Sequence, residues 1–378
     1  MSLNKKQKKY LKGHLKTQSL EEIAKNLGVG QKDLEEYLKK IWRPQKVTAF
    51  LALQEQKNSS SLQNKINRFR FKNFLQENRR WFWAIILTVI IVYANGLGGE
   101  FLSDDIGAIA QNENLDNFSY VTQNFPAMFR PFLYFVINQV FGRHPLAFKV
   151  LSLVFHSLAA TGLAILASLL LNKTVGIIAG FIFAVHPLLT EAVTWISGDG
   201  YSQYGAFLIW ATIFYLLSFK EKKYYWFCLG AFLLALGSSE KAMAFPFLLL
   251  ALVITHWQDL GKNRSWQKLI APSLIGLGWI VFYLTKVPER LAALETNYYQ
   301  DPNQAPPFSF KLPVAIASYL GLFFWPKNLT FYHSEIFFSK TEFIIIVGAC
   351  LAFLALTAYL FFSSRRRLSF WPLWFLAS

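Results

Sequence analysis

The sequence predicts an all-α polytopic membrane protein, on three observations. Apolar residues make up 54% of the 378 residues, gathered in runs that approach the roughly 20 residues a spanning helix needs. Charged residues are 16%, against about 25% in soluble domains. The charge is also lopsided: residues 1–80 hold 19 of the 38 Lys and Arg but 7 of the 22 Asp and Glu. A soluble enzyme and a disordered chain are both excluded. What remains is a membrane body with a basic head. The two cysteines, Cys228 and Cys350, sit inside apolar runs, which argues against a disulfide framework or a thiolate metal site. Residues 1–16 are lysine-rich without an apolar core, so the first spanning helix is expected to act as its own uncleaved signal.

Residues 1–45 read as a small cytoplasmic helical module. Ser19 and Glu22 have the spacing of a capping box ahead of Leu20, Ile23, Ala24 and Leu27. Gly28-Val29-Gly30 breaks that helix, and a second follows with Leu34, Tyr37, Leu38 and Ile41 on one face. The arrangement is helix-turn-helix-like, a form that can present a helix to a DNA groove. It is equally a basic helical hairpin at a membrane surface, and nucleic acid is the less favoured partner. Residues 46–80, polar, basic and ending in Arg79-Arg80, read as a juxtamembrane linker.

Spanning helices are expected at 81–98, 146–171, 174–190, 203–219, 224–238, 243–257, 268–285 and 342–362. The run 368–378 begins another, so residues 81–378 read as a C-terminally truncated transmembrane domain. A shorter run, 312–325, stops at Pro326 and reads as re-entrant or interfacial. A cytoplasmic head puts Lys173, Lys220, Lys222, Lys223, Lys262, Arg264, Lys268 and Arg365 to Arg367 on one side, in short loops. The regions 100–144, 191–202 and 286–341 then face outward, provided that 312–325 returns to its own side.

Candidate chemistry lies in those outward regions. Asp104 and Asp105 follow the first span, and paired carboxylates at a membrane boundary are costly without a partner or a task. A carboxylate can act as general base on a hydroxyl or ligate a divalent cation; the pair is also a plain solvated loop start. Arg130 has the planar fork that holds phosphate, or it snorkels to lipid head groups. His186-Pro187 closes a span, with Glu191 and Asp199 in the loop behind it; a lone histidine there is commonly structural. His156, midway along a span, is expected to pack against a neighbouring helix. Glu240-Lys241 interrupts the apolar stretch 224–257. It is either a turn between spans or a seat for the anionic head of a lipid-linked substrate.

These residues occur in a recognisable order: Phe101-x-x-Asp104-Asp105, Arg130-Pro131-Phe132, Val154-Phe155-His156, the run from Phe183 through His186-Pro187-x-x-Thr190-Glu191 to Gly198, and Ser238-x-Glu240-x-Ala242-x-x-x-Pro246. The order resembles the transmembrane-and-tetratricopeptide-repeat O-mannosyltransferases, within the wider C-type glycosyltransferases that include the protein O-mannosyltransferases. It covers residues 81–335 and includes Tyr319-Leu320, Pro326, Leu329 and Tyr332; no repeat region occurs. The resemblance implies a C-type glycosyltransferase fold with a large first outer loop bearing interfacial helices. It implies a polyprenyl-phosphate-linked sugar donor, with Asp104 as base and Asp105, Arg130, His186, Glu191 and Glu240 lining the site. The chain departs from the pattern at three places. Ser238-Ser239-Glu240 stands where the family has Ser-Lys-Glu, displacing the lysine to Lys241. Asp199 follows Gly198 where the family has arginine. Lys149 and Ser152 replace a histidine and an asparagine.

The expected function is transfer of a mannose-like sugar to an acceptor hydroxyl, protein Ser or Thr among the candidates, on the outer face of a bacterial plasma membrane. Partners are the lipid-linked donor, a protein or glycan acceptor and membrane lipids. No cofactor is called for, and a divalent cation is compatible but not demanded. The alternatives are the same fold acting on a lipid or cell-wall glycan, a transporter, or a non-catalytic scaffold. A transporter commonly shows two matching halves, and none is evident.

Overall fold

The computed structural model describes residues 3–15, 20–43, 62–260, 262–297, 308–327, 340–363 and 365–377, with a few isolated positions between them. Every regular element among the described residues is helical. The chain divides into two compact units, Met1–Phe69 and Arg70–Ser378.

In the first unit α1 (Lys5–His14) joins α2 (Leu20–Leu27) and α3 (Gln31–Ile41), with α4 (Leu62–Arg68) following. Leu3 and Leu11 pack with Leu20, Ile23, Ala24, Leu34 and Leu38 in a core of the unit's own. Thus a third helix completes the expected hairpin. The Asn4 side chain accepts from the Gln7 N–H at 2.9 Å while the Gln7 side chain accepts from the Asn4 N–H at 3.0 Å. That is a capping box. The box expected at Ser19 lies outside the described residues, as do 51–61 of the expected linker and Tyr332. Gly28, at φ 66°, takes the left-handed conformation that ends α2 at little cost for glycine.

The second unit opens with α5 (Phe71–Leu97). The helix starts well before the span expected at 81, because no Gly or Pro interrupts its polar first turns. Next come short turns at Ile106–Ala110 and Glu113–Asp116, then α6 (Ser119–Gln123) and α7 (Phe129–Phe141). Asp116 fixes this connecting region, accepting from Asn138 Nδ2 and pairing with Arg143 Nη2, both at 2.8 Å. Beneath it lie Ile109, Leu115, Tyr134, Phe148 and Ile196.

The remaining helices are α8 (Pro145–Leu170), α9 (Lys173–Val185), α10 (Thr190–Thr194), α11 (Asp199–Leu217), α12 (Lys223–Ser238), α13 (Phe245–Leu260), α14 (Lys262–Gln267), α15 (Ile270–Asn297), α16 (Phe308–Phe324), α17 (Lys340–Phe362) and α18 (Phe370–Ala377). Among the described residues five segments are long and apolar enough to cross a membrane: Phe71–Leu97, Pro145–Leu170, Glu240–Trp257, Ser265–Glu289 and Thr341–Phe362. Lys173–Val185 and Pro187–Thr194, bent by 52°, make a sixth if counted as one span. The chain is therefore an all-α polytopic membrane protein. The stretches expected at 203–219 and 224–238 are helical but fall short of that test. The start of α11 carries Asp199, Tyr201, Ser202, Gln203 and Tyr204, and α12 has 16 residues.

α8 is the central helix, and its small residues let neighbours approach. A Cβ on Gly180 of α9 would stand 2.9 Å from the Ala164 side chain, and one on Gly176 would run into the Ala164 carbonyl and Ser168. The pair is a small-xxx-small contact. His156 is buried as expected, stacked on Phe183 at 5.3 Å between ring centres.

The bundle sorts its loops to two ends. At one, Lys268 Nζ donates to the Ser218 carbonyl and hydroxyl at 2.6 and 2.7 Å, and Arg367 pairs with Asp259 at 2.8 Å. At the other lie the region between α5 and α8 and the residues around His186. α16 runs from a point halfway along α17, where Cys350 Sγ donates to the Pro313 carbonyl at 3.2 Å, to that same end.

Candidate active site

The connection out of α5 begins with a clamp that sequence inspection missed. Lys149, buried in α8, donates to the Gly96 and Gly99 carbonyls at 2.9 and 2.7 Å. A cation at a helix C-terminus satisfies orphan carbonyls and opposes the helix dipole. A Cβ on Gly99 would stand 2.7 Å from Nζ, so a side chain there would push the lysine head away. Ser103 then takes φ 49°, a left-handed conformation that costs a non-glycine residue roughly 1–2 kcal/mol.

The two acids follow on one helical turn and point in different directions. Asp104 is exposed, with the Ser103 hydroxyl 3.4 Å from its carboxylate. Asp105 is 1% exposed and fully engaged: Oδ1 accepts from the Ser197 N–H at 2.7 Å and hydroxyl at 2.5 Å, and Oδ2 accepts from the Leu102 N–H at 3.2 Å. Asp104 can therefore meet a substrate; Asp105 holds the loop.

Ser197 carries the connection onward, its carbonyl accepting from Arg130 Nη1 at 3.2 Å. Arg130 makes no other hydrogen bond to a described residue, which leaves most of its fork available. Gly200 makes room for it, since a Cβ there would stand 2.9 Å from Nη1. Burial works against the charge of Arg130, and Tyr134, Asp199, Tyr120 and Glu240 around it overcome that effect, so its pKa moves up.

Asp199, at the first turn of α11, is fully buried. The Tyr134 hydroxyl and Gln203 Nε2 each lie 2.8 Å from one of its oxygens. Burial pushes its carboxyl up to about 6, despite the nearby Arg130 charge and those two hydrogen bonds. Burial also raises the Tyr134 hydroxyl well above its ordinary value, with Asp199 adding to the effect. Lys241, exposed beyond Glu240, lies 4.1 Å from the centre of the Tyr201 ring, a cation–π distance.

The structure thus brings Asp105, Arg130, Asp199 and Glu240 into one cluster, with Asp104 and Lys241 exposed in the same region. His186 faces elsewhere. Its Nδ1 accepts from the Leu188 N–H at 3.3 Å, so Nε2 donates to the Phe323 carbonyl at 2.9 Å, and its ring stacks on Phe323. Glu191 lies exposed on α10, its carbonyl 2.9 Å from where a Cβ on Gly198 would be. Sequence reasoning missed Tyr134, Ser197, Gln203 and the role of Lys149. Among the described residues no three His, Cys, Asp or Glu side chains converge to hold a metal ion. Beside Arg130 a groove of about 440 Å³ runs between Phe129 and Phe132 of α7 and Leu233 and Gly237 of α12. Its lining is largely apolar.

Fold and cluster together define a multi-pass membrane protein with a charged site at one end of its helices. Over 131 residues the chain is 30% identical to protein O-mannosyl-transferase TMTC3 of Mus musculus and 29% identical to that of Homo sapiens. Each alignment takes in 30% of this chain and 14% of the relative. No protein-family model and no solved structure matches the chain. The similarity is distant and partial, and it points toward a glycosyltransferase.

Proposed function

We propose that the protein transfers a mannose-like sugar from a polyprenyl-phosphate carrier to an acceptor hydroxyl on the outer face of the membrane. The observation that carries this reading is the division of labour in the acidic pair. One carboxylate is exposed, and its neighbour is locked to Ser197 beside Arg130.

In this reading Asp104 takes the proton from the acceptor hydroxyl as its oxygen attacks the anomeric carbon. The bond from that carbon to the phosphate oxygen breaks, and the polyprenyl phosphate leaves as an anion. In-line displacement inverts the anomeric centre. The leaving group is already stable when charged, so it needs no general acid. Arg130, with Lys241 near it, suits the phosphate, because a guanidinium fork pairs two oxygens at once. The apolar groove beside α7 suits the first isoprene units. Asp105 and Asp199 act indirectly, holding the loop and Tyr134. The distant similarity to named O-mannosyl-transferases supports the sugar class, and protein Ser or Thr is the acceptor it favours.

The test is a transfer assay on purified protein in lipid nanodiscs, with radiolabelled mannosyl-phosphoryl-polyprenol and either peptide or glycan acceptors. Sugar incorporation that depends on the donor is expected. No transfer with any mannose-type donor to either acceptor class would overturn the reading.

A further inference from the structure

The head is not used by that chemistry, and α1 has a surface that calls for a partner. Its ten residues carry Lys5, Lys6, Lys8, Lys9 and Lys12 and no acid. All five are exposed, and none pairs with a described acid. Several are three or four apart, where like charges on a helix repel. Lys5 and Lys6 also stand at the N-terminal end, where the helix dipole disfavours cations. The helix forms nonetheless, because the Asn4–Gln7 capping box starts it and Leu3 and Leu11 are buried in the core. Gln7 Nε2 and the Leu27 carbonyl at 3.2 Å, with Asn26 Nδ2 and the Tyr10 hydroxyl at 2.8 Å, tie it to α2. The cost of gathering these charges has no return within the unit.

We propose that the lysine face of α1 docks on anionic phospholipid head groups of the membrane that α5 enters. Three features choose this occupant. The apolar side chains of α1 are spent on the core, so the helix can lie on a surface but not insert. The chain itself delivers the head to that surface: Arg79 and Arg80 precede Trp81 and Trp83, which are 49% and 69% exposed and suit the aromatic belt at a membrane boundary. Such tethering supplies a high effective concentration, so weak individual contacts suffice. Third, a DNA groove is poorly matched. α3, the helix a helix-turn-helix would insert, exposes Asp33 and Glu36 among its lysines, and acids face phosphate unfavourably. Lysines without a bidentate fork fit a diffuse field of lipid phosphates.

The test uses the full chain in nanodiscs, with a dye on Gly13→Cys, an exposed position at which an added side chain meets no neighbour within 4 Å. The native Cys228 and Cys350 are buried. Energy transfer from this dye to a labelled lipid is expected to be high in discs with 30% phosphatidylglycerol, in ~0.1 M salt where the Debye length is ~10 Å. It should fall in phosphatidylcholine alone and in high salt. A surface lysine contributes about 1 kcal/mol, or roughly fivefold, to such docking. Replacing Lys5, Lys8, Lys9 and Lys12 by Gln should therefore weaken it by several hundred-fold, on the order of full release. Replacing the same four by Arg keeps the charge and should keep the docking, which separates charge loss from misfolding. Equal transfer in neutral and anionic discs would overturn the proposal, as would wild-type behaviour of the Gln variant. Release of the dye from anionic discs by a 20-base-pair duplex at nanomolar concentration would assign the face to nucleic acid instead.

Discussion

Ser197 donates both its N–H and its hydroxyl to a single carboxylate oxygen of Asp105, at 2.7 and 2.5 Å, across 92 residues of sequence. This one contact fastens the loop after α5 to the turn that carries Arg130's acceptor. Hydrogen bonds to a charged group contribute about 1.5–3 kcal/mol. Ser197→Ala, which keeps the N–H bond, should cost about that much in thermal unfolding of the detergent-solubilised protein. Asp105→Ala should cost more, because it orphans the Ser197 N–H as well. Equal stability of all three proteins would show that the clamp is not formed.

Asp104 is open to solvent, so Asp104→Asn should unfold at the wild-type temperature. On the proposed mechanism it removes the base, and general-base catalysis contributes about 10²–10⁴-fold. Transfer should fall by at least the lower figure with donor affinity retained. Asp105→Asn should instead lower stability and transfer together. If Asp104→Asn turns over normally, the base lies elsewhere.

The sorting of loops to two ends gives a prediction about sidedness. Exposed Lys222 belongs to the end where Lys268 meets Ser218, and exposed Glu113 belongs to the region between α5 and α8. With a cytoplasmic head, Lys222→Cys should react with an impermeant maleimide only in inverted vesicles, and Glu113→Cys only in intact cells. The native cysteines are buried and should stay silent. The opposite labelling pattern would invert the topology.

Gly176 and Gly180 let α9 lie directly on α8. A Cβ at Gly176 would meet the Ala164 backbone carbonyl, which cannot swing aside as a side chain can. Gly176→Ala should therefore destabilise by about 1–3 kcal/mol, the usual cost of overpacking. Gly176→Leu should prevent accumulation of folded protein. Gly205, which has open space around its Cβ position, is the control: Gly205→Ala should be tolerated.

The helices were legible in the sequence because apolar length is a local property, and the runs around 81–98 and 146–171 sit inside α5 and α8. The burial of His156 was legible for the same reason. The Gly176-x-x-x-Gly180 spacing was passed over in the sequence, and its partner, Ala164, became visible only in the structure. α11 and α12 were harder, since α11 opens on the polar residues Asp199, Ser202 and Gln203 and α12 has 16 residues. The site was legible as a set of residues but not as a division of roles. Asp104 and Asp105 are chemically identical in sequence; consecutive positions on one helical turn send one to solvent and the other to Ser197. Lys149 looked like a departure from a family pattern, and its task became visible only with the Gly96 and Gly99 carbonyls beside it. Asp199 sat in a polar stretch that reads as exposed, and it is the most deeply buried acid of the cluster.

That burial makes Asp199 a source of pH dependence. Its carboxyl is raised from 3.8 to about 6 in the folded protein. Between those values the folded state holds a proton that the unfolded state has released, so stability is greatest at low pH and falls as pH rises through about 4 to 6. A shift of this size corresponds to roughly 3 kcal/mol at 1.36 kcal/mol per unit, as an order of magnitude. The neighbourhood fits a protonated acid. Gln203 Oε1 is buried without a hydrogen-bond partner among the described residues, while Gln203 Nε2 lies on Asp199 Oδ2 at 2.8 Å. The Tyr134 hydroxyl also lies 2.8 Å from the Ile196 carbonyl, which can only accept, so the Tyr134 O–H donates there and a protonated Asp199 donates to the Tyr134 oxygen. Asp199→Asn offers the same geometry without a charge: its NH2 donates to the Tyr134 oxygen, whose O–H donates to the Ile196 carbonyl, and its own oxygen accepts from Gln203 Nε2. The variant should lose this pH dependence and unfold at a higher temperature than wild type at pH 7, with the difference closing at pH 4. Thermal unfolding in detergent across pH 4–8 measures it. A wild-type profile that rises through this window, or an Asn variant that keeps the wild-type slope, would show that Asp199 is not the group responsible.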